Sequence, residues 1–89
     1  MNRFTVVWLK DAQDALAESW MDCPDRNSVG AAATTIDRQL RDAPKLYGTH
    51  VSEGLWTIRC DPLRAFFTIS EDDYRVEVGG LCLISQDGE

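Results

Sequence analysis

The chain has 89 residues, of which 44% are hydrophobic and 27% are charged. This size and composition predict one globular domain over residues 1–89 and exclude a disordered chain. No apolar run approaches the roughly 20 residues that cross a membrane, and the N-terminus lacks the apolar core of a signal peptide, so we expect a cytoplasmic protein with no membrane partner. The net charge of −6 argues against general affinity for nucleic acids, because clustered lysine and arginine bind phosphates.

This charge is unevenly spread along the chain. Residues 1–50 carry 6 basic and 7 acidic side chains, which gives −1, whereas residues 51–89 carry 3 basic and 8 acidic side chains, which gives −5. A site for a polyanion in the second half would therefore have to overcome a local excess of acid.

The three cysteines, Cys23, Cys60 and Cys82, are widely separated and form no CxxC pair. An odd number of cysteines in a cytosolic chain argues against a disulfide framework. Together with His50 they have the composition of a Cys₃His zinc site, but structural zinc sites bring their ligands in close pairs. We therefore expect buried thiols, no metal and no other cofactor.

The chain begins with a predicted strand and helix. Residues 4–9 are rich in β-branched and aromatic side chains, which is typical of a strand buried on both faces or nearly so. Residues 10–22 predict a helix, with Asp11 as its N-cap. The helix has one mainly apolar face, formed by Ala12, Ala15, Leu16, Ser19 and Trp20.

A second helix is predicted over residues 25–42, with Asp25 or Asn27 as its N-cap. Apolar side chains recur along it at helical spacing, at Val29, Ala32, Ala33, Ile36, Leu40 and Ala43. The joint to the preceding helix is short, which predicts an antiparallel helical hairpin.

The second half of the chain predicts a three-stranded meander between residues 51 and 84. Strands are expected at residues 54–59, 64–69 and 74–84, separated by two polar turns. We expect a bulge where Gly79 and Gly80 interrupt the last strand, and a frayed tail over residues 85–89. The whole order, β-α-α-β-β-β, predicts an α+β fold in which the helical hairpin covers a four-stranded, mainly antiparallel sheet. The larger aromatic side chains are expected mostly in the core, at Trp8, Trp20, Trp56, Phe66 and Phe67.

This order, and the residues within it, resemble the RelE/ParE superfamily of toxins from toxin–antitoxin modules. The resemblance covers nearly the whole chain and is carried by these segments: FTVVW, DAQDALAESW, SVGAAATTIDRQLRDAP, EGLWTIRCDPLRAFFTI and YRVEV. The most telling part is residues 62–69, which fit the hairpin in which members of the superfamily carry a proline, an arginine and an aromatic residue.

The resemblance implies two possible activities. RelE-like members cut mRNA in the ribosomal A site, whereas ParE-like members inhibit DNA gyrase and need no catalytic residues. Members of both kinds are neutralised by a cognate antitoxin that wraps the toxin. We expect the antitoxin to bind through a helix in an apolar groove or through a strand added to a sheet edge.

Four residues are candidates for RNA cleavage, which needs a base, an acid and stabilisation of charge at the phosphate. Arg64 matches the sheet arginine of the family and Arg59 lies on the preceding strand, so both are candidate phosphate ligands. The alternative for Arg64 is a cross-strand ion pair with an acid, such as that of Glu77 or Asp61. His50, expected in a loop, and Tyr74 are the candidates for proton transfer, and Tyr74 is also a candidate for base stacking. The alternatives are that His50 is an exposed, uninvolved side chain and that Tyr74 covers the sheet edge.

The basic set of the RelE-like nucleases is incomplete in this chain. Lysines are absent from the strand that carries Leu55 and Thr57, and the last strand has glycine, leucine and cysteine where those nucleases have basic residues. We therefore expect a ParE-like or weakened toxin, with a ribosome-dependent mRNA endoribonuclease and a non-toxic binding module as alternatives. Trp56 is the candidate partner anchor if it faces away from the helices.

Overall fold

The computed structural model describes residues 3–84, which form five strands and three helices. In chain order they are β1 (Thr5–Trp8), α1 (Lys10–Asp22), α2 (Arg26–Asp42), α3 (Pro44–Tyr47), β2 (Thr49–Ser52), β3 (Leu55–Cys60), β4 (Leu63–Ser70) and β5 (Arg75–Leu83). The expected tail at residues 85–89 lies outside the described residues. None of the described helices is long and apolar enough to span a membrane.

The strands form one mixed sheet in the spatial order β1-β5-β4-β3-β2. β1 runs parallel to β5, and all other neighbours are antiparallel. α1 and α2 pack on one face of this sheet, so the predicted α+β class is correct. β1 is an edge strand with Thr5 exposed and Val6 buried, so it is buried on one face and not on both.

The sheet has one strand more than predicted, because residues 49–52 pair with β3 at the edge. All four side chains of this strand are exposed, so no hydrophobic alternation marks it in the sequence. His50 therefore lies in a strand and not, as predicted, in a loop. The one-turn helix α3 before it was also not predicted, although Pro44 occupies the first turn, where proline is well tolerated.

The two long helices begin differently. Leu9 is the N-cap of α1 and its side chain makes no capping bond, so the prediction of Asp11 was wrong. Asp25 caps α2 as predicted: its carboxylate accepts hydrogen bonds from the hydroxyl and the backbone N–H of Ser28, at 2.7 and 3.2 Å. These bonds, the one from the hydroxyl first, hold the pKa of Asp25 below its ordinary value of 3.8.

The core lies between the helices and the sheet and includes Phe67, Ile36, Leu40, Leu63, Val29, Val76 and Val78. Of the aromatic side chains predicted in the core, Phe67 is buried, and Trp8 and Trp56 pack against the core while remaining half-buried. Trp20 is 45% exposed on the surface of the helical hairpin, which corrects its placement in the core. Phe66 is half-buried on the opposite face of the sheet from Phe67.

The predicted bulge is present in β5. Phe66 is paired with Gly80 and Phe67 with Val78, so Gly79 has no partner on β4. The extra residue restores the alternation, because Val76 and Val78 before it and Leu81 after it are all buried on the helix side.

Candidate functional site

The sheet has a helix-facing side and an open side, which we call the outer face. Side chains alternate between the two along each strand. On β4, Leu63, Ala65 and Phe67 are buried under the helices, whereas Arg64 is exposed on the outer face. The register then assigns the other outer-face positions of the three strands nearest to it: Leu55, Thr57, Arg59, Phe66, Thr68, Glu77, Gly80 and Cys82.

Arg59 and Arg64 are directly opposite each other on β3 and β4. Asp61, in the turn that joins these strands, accepts a hydrogen bond from Nε of Arg59 at 2.9 Å. Arg64 makes no hydrogen bond or ion pair with any residue from 3 to 84. Neither of the acids considered for it is available, because Asp61 binds Arg59 and the carboxylate of Glu77 lies 3.2 Å from Nη2 of Arg75.

Among residues 3–84, this arrangement leaves Arg64 as an uncompensated cation on the outer face. Like charges opposite each other on neighbouring strands destabilise the pairing, and an anion between them would relieve the repulsion. Arg59 and Arg64 therefore form a candidate anion site, in which Arg64 is the stronger ligand because the charge of Arg59 is already shared with Asp61.

His50 does not join this site. It is paired with Trp56 across β2 and β3, and the two rings meet edge to face with centroids 5.1 Å apart. Trp56 in turn is paired with the buried Phe67, so the ring of His50 lies on the helix-facing side of the sheet. Arg59 is on the outer face of the same sheet, so the imidazole is not positioned to exchange a proton with a ligand held there.

Tyr74 lies at the other end of the sheet from the two arginines. It precedes β5, whose first residue, Arg75, is paired with Ser70 at the end of β4. Ser70 and Arg64 are six positions apart along β4, a distance of about 20 Å. The ring of Tyr74 packs edge to face on Phe4, with centroids 5.7 Å apart. Of the four candidates, the structure brings only Arg59 and Arg64 together.

Trp56 does not face away from the helices. It packs against the core, and its ring lies stacked with that of Phe67 at a centroid distance of 6.4 Å. Trp56 therefore does not have the outward orientation that its predicted role as a partner anchor requires.

The cysteines are free thiols: Cys23 and Cys60 are half-buried, and Cys82 is exposed on the outer face next to Arg64 in the register. Burial is thus less complete than expected from the sequence. Within residues 3–84, no group of three or more histidine, cysteine or acidic side chains is arranged to hold a metal ion.

A groove between α1 and α2 was missed by the sequence analysis. It has a volume of about 730 Å³ and is lined by Trp8, Gln13, Leu16, Ala17, Trp20, Met21, Val29, Gly30, Ala33, Thr34 and Asp37; we call it the α1–α2 groove. The sequence does contain a signal of this exposed apolar surface. Consecutive helical residues point about 100° apart, so Trp20 and Met21 cannot both face the core. Met21 is in fact 70% exposed.

No family model and no curated protein match the chain. The solved structures that match it include three that do so over 92–93% of its length. The RelBE2 toxin–antitoxin complex of Mycobacterium tuberculosis matches with a TM-score of 0.77 at 19% identity, and 93% of that chain is covered. A chromosomal ParDE toxin–antitoxin system of P. aeruginosa and the RelE–RelB complex of Pyrococcus horikoshii match with TM-scores of 0.68 and 0.63, each at 12% identity and over 97% of their chains. The chain therefore has the fold found in these toxin–antitoxin complexes, which is the RelE/ParE fold that the resemblance predicts.

Proposed function

We propose that the chain is the toxin component of a toxin–antitoxin pair in the cytoplasm, and that it acts by binding its target and not by cutting RNA. This is the mode of a ParE-like inhibitor of DNA gyrase, or of a weakened toxin. The fold shared with the RelBE2, ParDE and RelE–RelB complexes supports the assignment to such a pair and a cognate antitoxin as partner.

One observation carries the choice of a binding mode. Neither of the residues predicted for proton transfer lies beside the arginine pair on the outer face, since His50 is on the other side of the sheet and Tyr74 is at its far end. The arginine pair can hold a phosphate, but the histidine and the tyrosine predicted to supply the acid and the base for cleavage through a 2′-hydroxyl are not beside it.

The test is controlled expression in a bacterial host without an antitoxin, combined with a supercoiling assay on purified gyrase. We expect growth arrest, inhibition of supercoiling and no new 5′ ends when translated mRNA is mapped by primer extension. The Arg64→Ala variant should arrest growth as well as the parent does. Normal growth after induction at confirmed protein levels would exclude a toxin.

The second candidate is a ribosome-dependent mRNA endoribonuclease, and the free cation of Arg64 favours it. In that case primer extension should show cleavage of translated mRNA, and Arg64→Ala should reduce its rate by about 100-fold, as removal of a charge-stabilising donor does in other enzymes. Arg75→Ala is the matched control on the same face, because Arg75 is already paired with Glu77. Cleavage that survives Arg64→Ala would remove the outer-face arginines from the mechanism.

The third candidate is a non-toxic protein-binding module with the same fold, which the exposed apolar α1–α2 groove favours. This candidate predicts no growth arrest, but capture of a protein by the immobilised chain. The neighbouring gene product is the first protein to test, because a toxin requires an antitoxin there and a binding module does not.

A further inference from the structure

The last residue that the structure describes lies close to the arginine pair of the outer face. Cys82 is opposite Arg64 in the register of β4 and β5. Two residues later, the backbone N–H of Ile84 donates a hydrogen bond to the carbonyl oxygen of Pro62 at 2.8 Å. Paired Cα atoms are about 5 Å apart and each strand residue advances by about 3.3 Å, which places the Cα atom of Ile84 roughly 8 Å from that of Arg64. Residues 85–89 therefore continue the chain from a point beside Arg64.

These five residues, which we call the tail, have the sequence SQDGE and carry two acids and no basic side chain. Asp87 is three positions after Ile84, and a β-turn brings residues with this separation within about 7 Å of each other. A single turn after β5 therefore leaves the carboxylate of Asp87 within reach of the long side chain of Arg64. Glu89 is two positions further along the same segment.

The two sides of the sheet differ in charge at the point where β5 ends. On the helix-facing side, Leu83 and Ile84 line a pocket of about 500 Å³ together with three acids, Asp22, Asp25 and Asp61. None of the described residues that line this pocket is basic. An acidic segment is repelled there, whereas the outer face offers the guanidinium of Arg64.

The charges nearest to this pocket do not reverse the difference. Arg26, which follows Asp25 in the chain, lies against the ring of Trp20 and does not line the pocket. Asp61 is the acid closest to the arginine pair, and its charge is shared with Arg59. The outer face is thus the favourable side for an acidic segment that leaves β5.

We propose that Asp87 and Glu89 bind Arg64 on the outer face, so that the tail competes with other anions for the site formed by Arg59 and Arg64. The tail, which the sequence predicts to be frayed, then has a preferred position on the sheet. The inference goes beyond the proposed function, because it concerns the anion site alone and holds whether or not the chain is toxic.

The contact is weak by nature and gains from its short connection. Exposed ion pairs contribute little to stability, but a short linker holds its two groups at an effective concentration in the millimolar range. A ligand with several charges displaces such a contact. The tail therefore lowers the affinity of the outer face for anions without closing the site.

The test uses the full chain labelled with ¹⁵N and inorganic pyrophosphate as the probe, followed by NMR at the Nε–H group of Arg64. The variant Asp87→Asn/Glu89→Gln removes both charges of the tail and keeps its length. It should bind pyrophosphate about threefold more tightly than the parent at low ionic strength. The difference should disappear at high salt, because exposed charges are screened.

A matched variant, Glu53→Gln/Asp72→Asn, makes the same change in net charge at the other end of the sheet. Glu53 precedes β3 and Asp72 lies between β4 and β5, whereas Arg59 and Arg64 lie at the ends of their strands that are remote from both acids. This variant should bind pyrophosphate as the parent does.

A second measurement reports the contact itself. The ¹H–¹⁵N heteronuclear NOE of the Gly88 amide is sensitive to backbone motion on the picosecond to nanosecond timescale. We expect this NOE to fall in Arg64→Gln and in Asp87→Asn/Glu89→Gln, and to keep the parent value in Glu53→Gln/Asp72→Asn. Arg64 is exposed, so its replacement leaves the core intact.

Three results would overturn the inference: an unchanged affinity for pyrophosphate in the neutral-tail variant, an equal gain in the matched variant, or a Gly88 NOE that does not respond to Arg64→Gln. Growth arrest and gyrase inhibition are not among these measurements, so this inference and the proposed function succeed or fail separately.

Discussion

Three arginine side chains in residues 3–84 are neutralised by acids two or four positions away in the chain. Arg59 binds Asp61, Arg75 binds Glu77 and Arg41 binds Asp37. The sequence identifies the arginine hairpin correctly, because strand and turn residues alternate there in a regular pattern. It does not tell which acid binds which arginine, because that depends on the register of the strands and on side-chain rotamers. Arg64 is recognised as the outer-face arginine without an acid partner in residues 3–84 only once the ion pairs of Arg59 and Arg75 are known.

The cap of α2 provides a prediction at this scale. The pKa of Asp25 is lowered in the folded chain, so its stabilising contribution is fully present above the unfolded value of 3.8 and is lost as the pH falls through the folded pKa. Asp25→Ala should therefore lower the melting temperature near neutral pH, and the difference from the parent should diminish in acid.

Asp25→Asn is the control, because asparagine caps helices as well as aspartate does but does not titrate. Its melting temperature should match that of the parent near neutral pH and should lack the acid-dependent loss contributed by this carboxylate. Thermal denaturation followed by circular dichroism measures all three proteins. An effect of Asp25→Ala that is the same at every pH would show that the carboxylate charge is not involved.

At the scale of the element, the sequence predicts those elements that have a recognisable residue pattern of their own. The stripe of α2 and the bulge of β5 belong to this class, because helical spacing and a glycine pair are visible in the sequence alone. β2 is different: its four exposed residues become a strand only because β3 offers a free edge. α3 is a single turn, too short to produce a helical pattern. The α1–α2 groove was missed because Trp20 has the spacing of a core residue.

Two glycines in helical regions give a matched prediction. At Gly48, the C-cap of α3, an added Cβ would lie 2.6 Å from Cζ of Phe67 and 2.7 Å from the backbone oxygen of Pro44. Gly48→Ala should therefore destabilise the fold by about 1–3 kcal/mol through overpacking. Gly30→Ala, inside α2 with open space around it, should stabilise it by about 0.5–1 kcal/mol because alanine favours the helix.

Urea denaturation of the two alanine variants and the parent measures this contrast. Changes of the same sign at both positions would mean that helix propensity and not packing against Phe67 decides the effect of an added methyl group.

The whole molecule depends on a single core on one side of its sheet. The helices cover only the helix-facing side, and the outer face has no second layer among residues 3–84. A domain of this size has a free energy of unfolding of roughly 4–13 kcal/mol, so the loss of one large core side chain removes much of it. The outer face can change with far less effect, which leaves it free to carry functional residues.

Two adjacent phenylalanines test this asymmetry. Phe67 is 1% exposed in the core, and Phe67→Ala should reduce the free energy of unfolding by about 3–5 kcal/mol. Phe66 points to the outer face, and Phe66→Ala should cost about 1 kcal/mol. If Phe67→Ala proves too unstable to measure, Phe67→Leu gives a smaller loss by the same method of urea denaturation. Equal losses for Phe66→Ala and Phe67→Ala would contradict a one-sided core.

The parallel pairing of β1 with β5 has a consequence for the order in which the fold forms. Thr5 is paired with Arg75, seventy positions later, and β5 is the strand that joins β1 to the rest of the sheet. During synthesis β1 and the helical hairpin emerge first, and β1 and α1 have no access to β5, the strand on which both mainly pack, until the end of the chain follows. Closing so long a loop makes folding slow compared with a helical bundle of equal length. The nascent chain therefore exposes the apolar face of α1 and the unpaired β1 for most of its synthesis, and we expect this surface to attract chaperones or a partner that binds early.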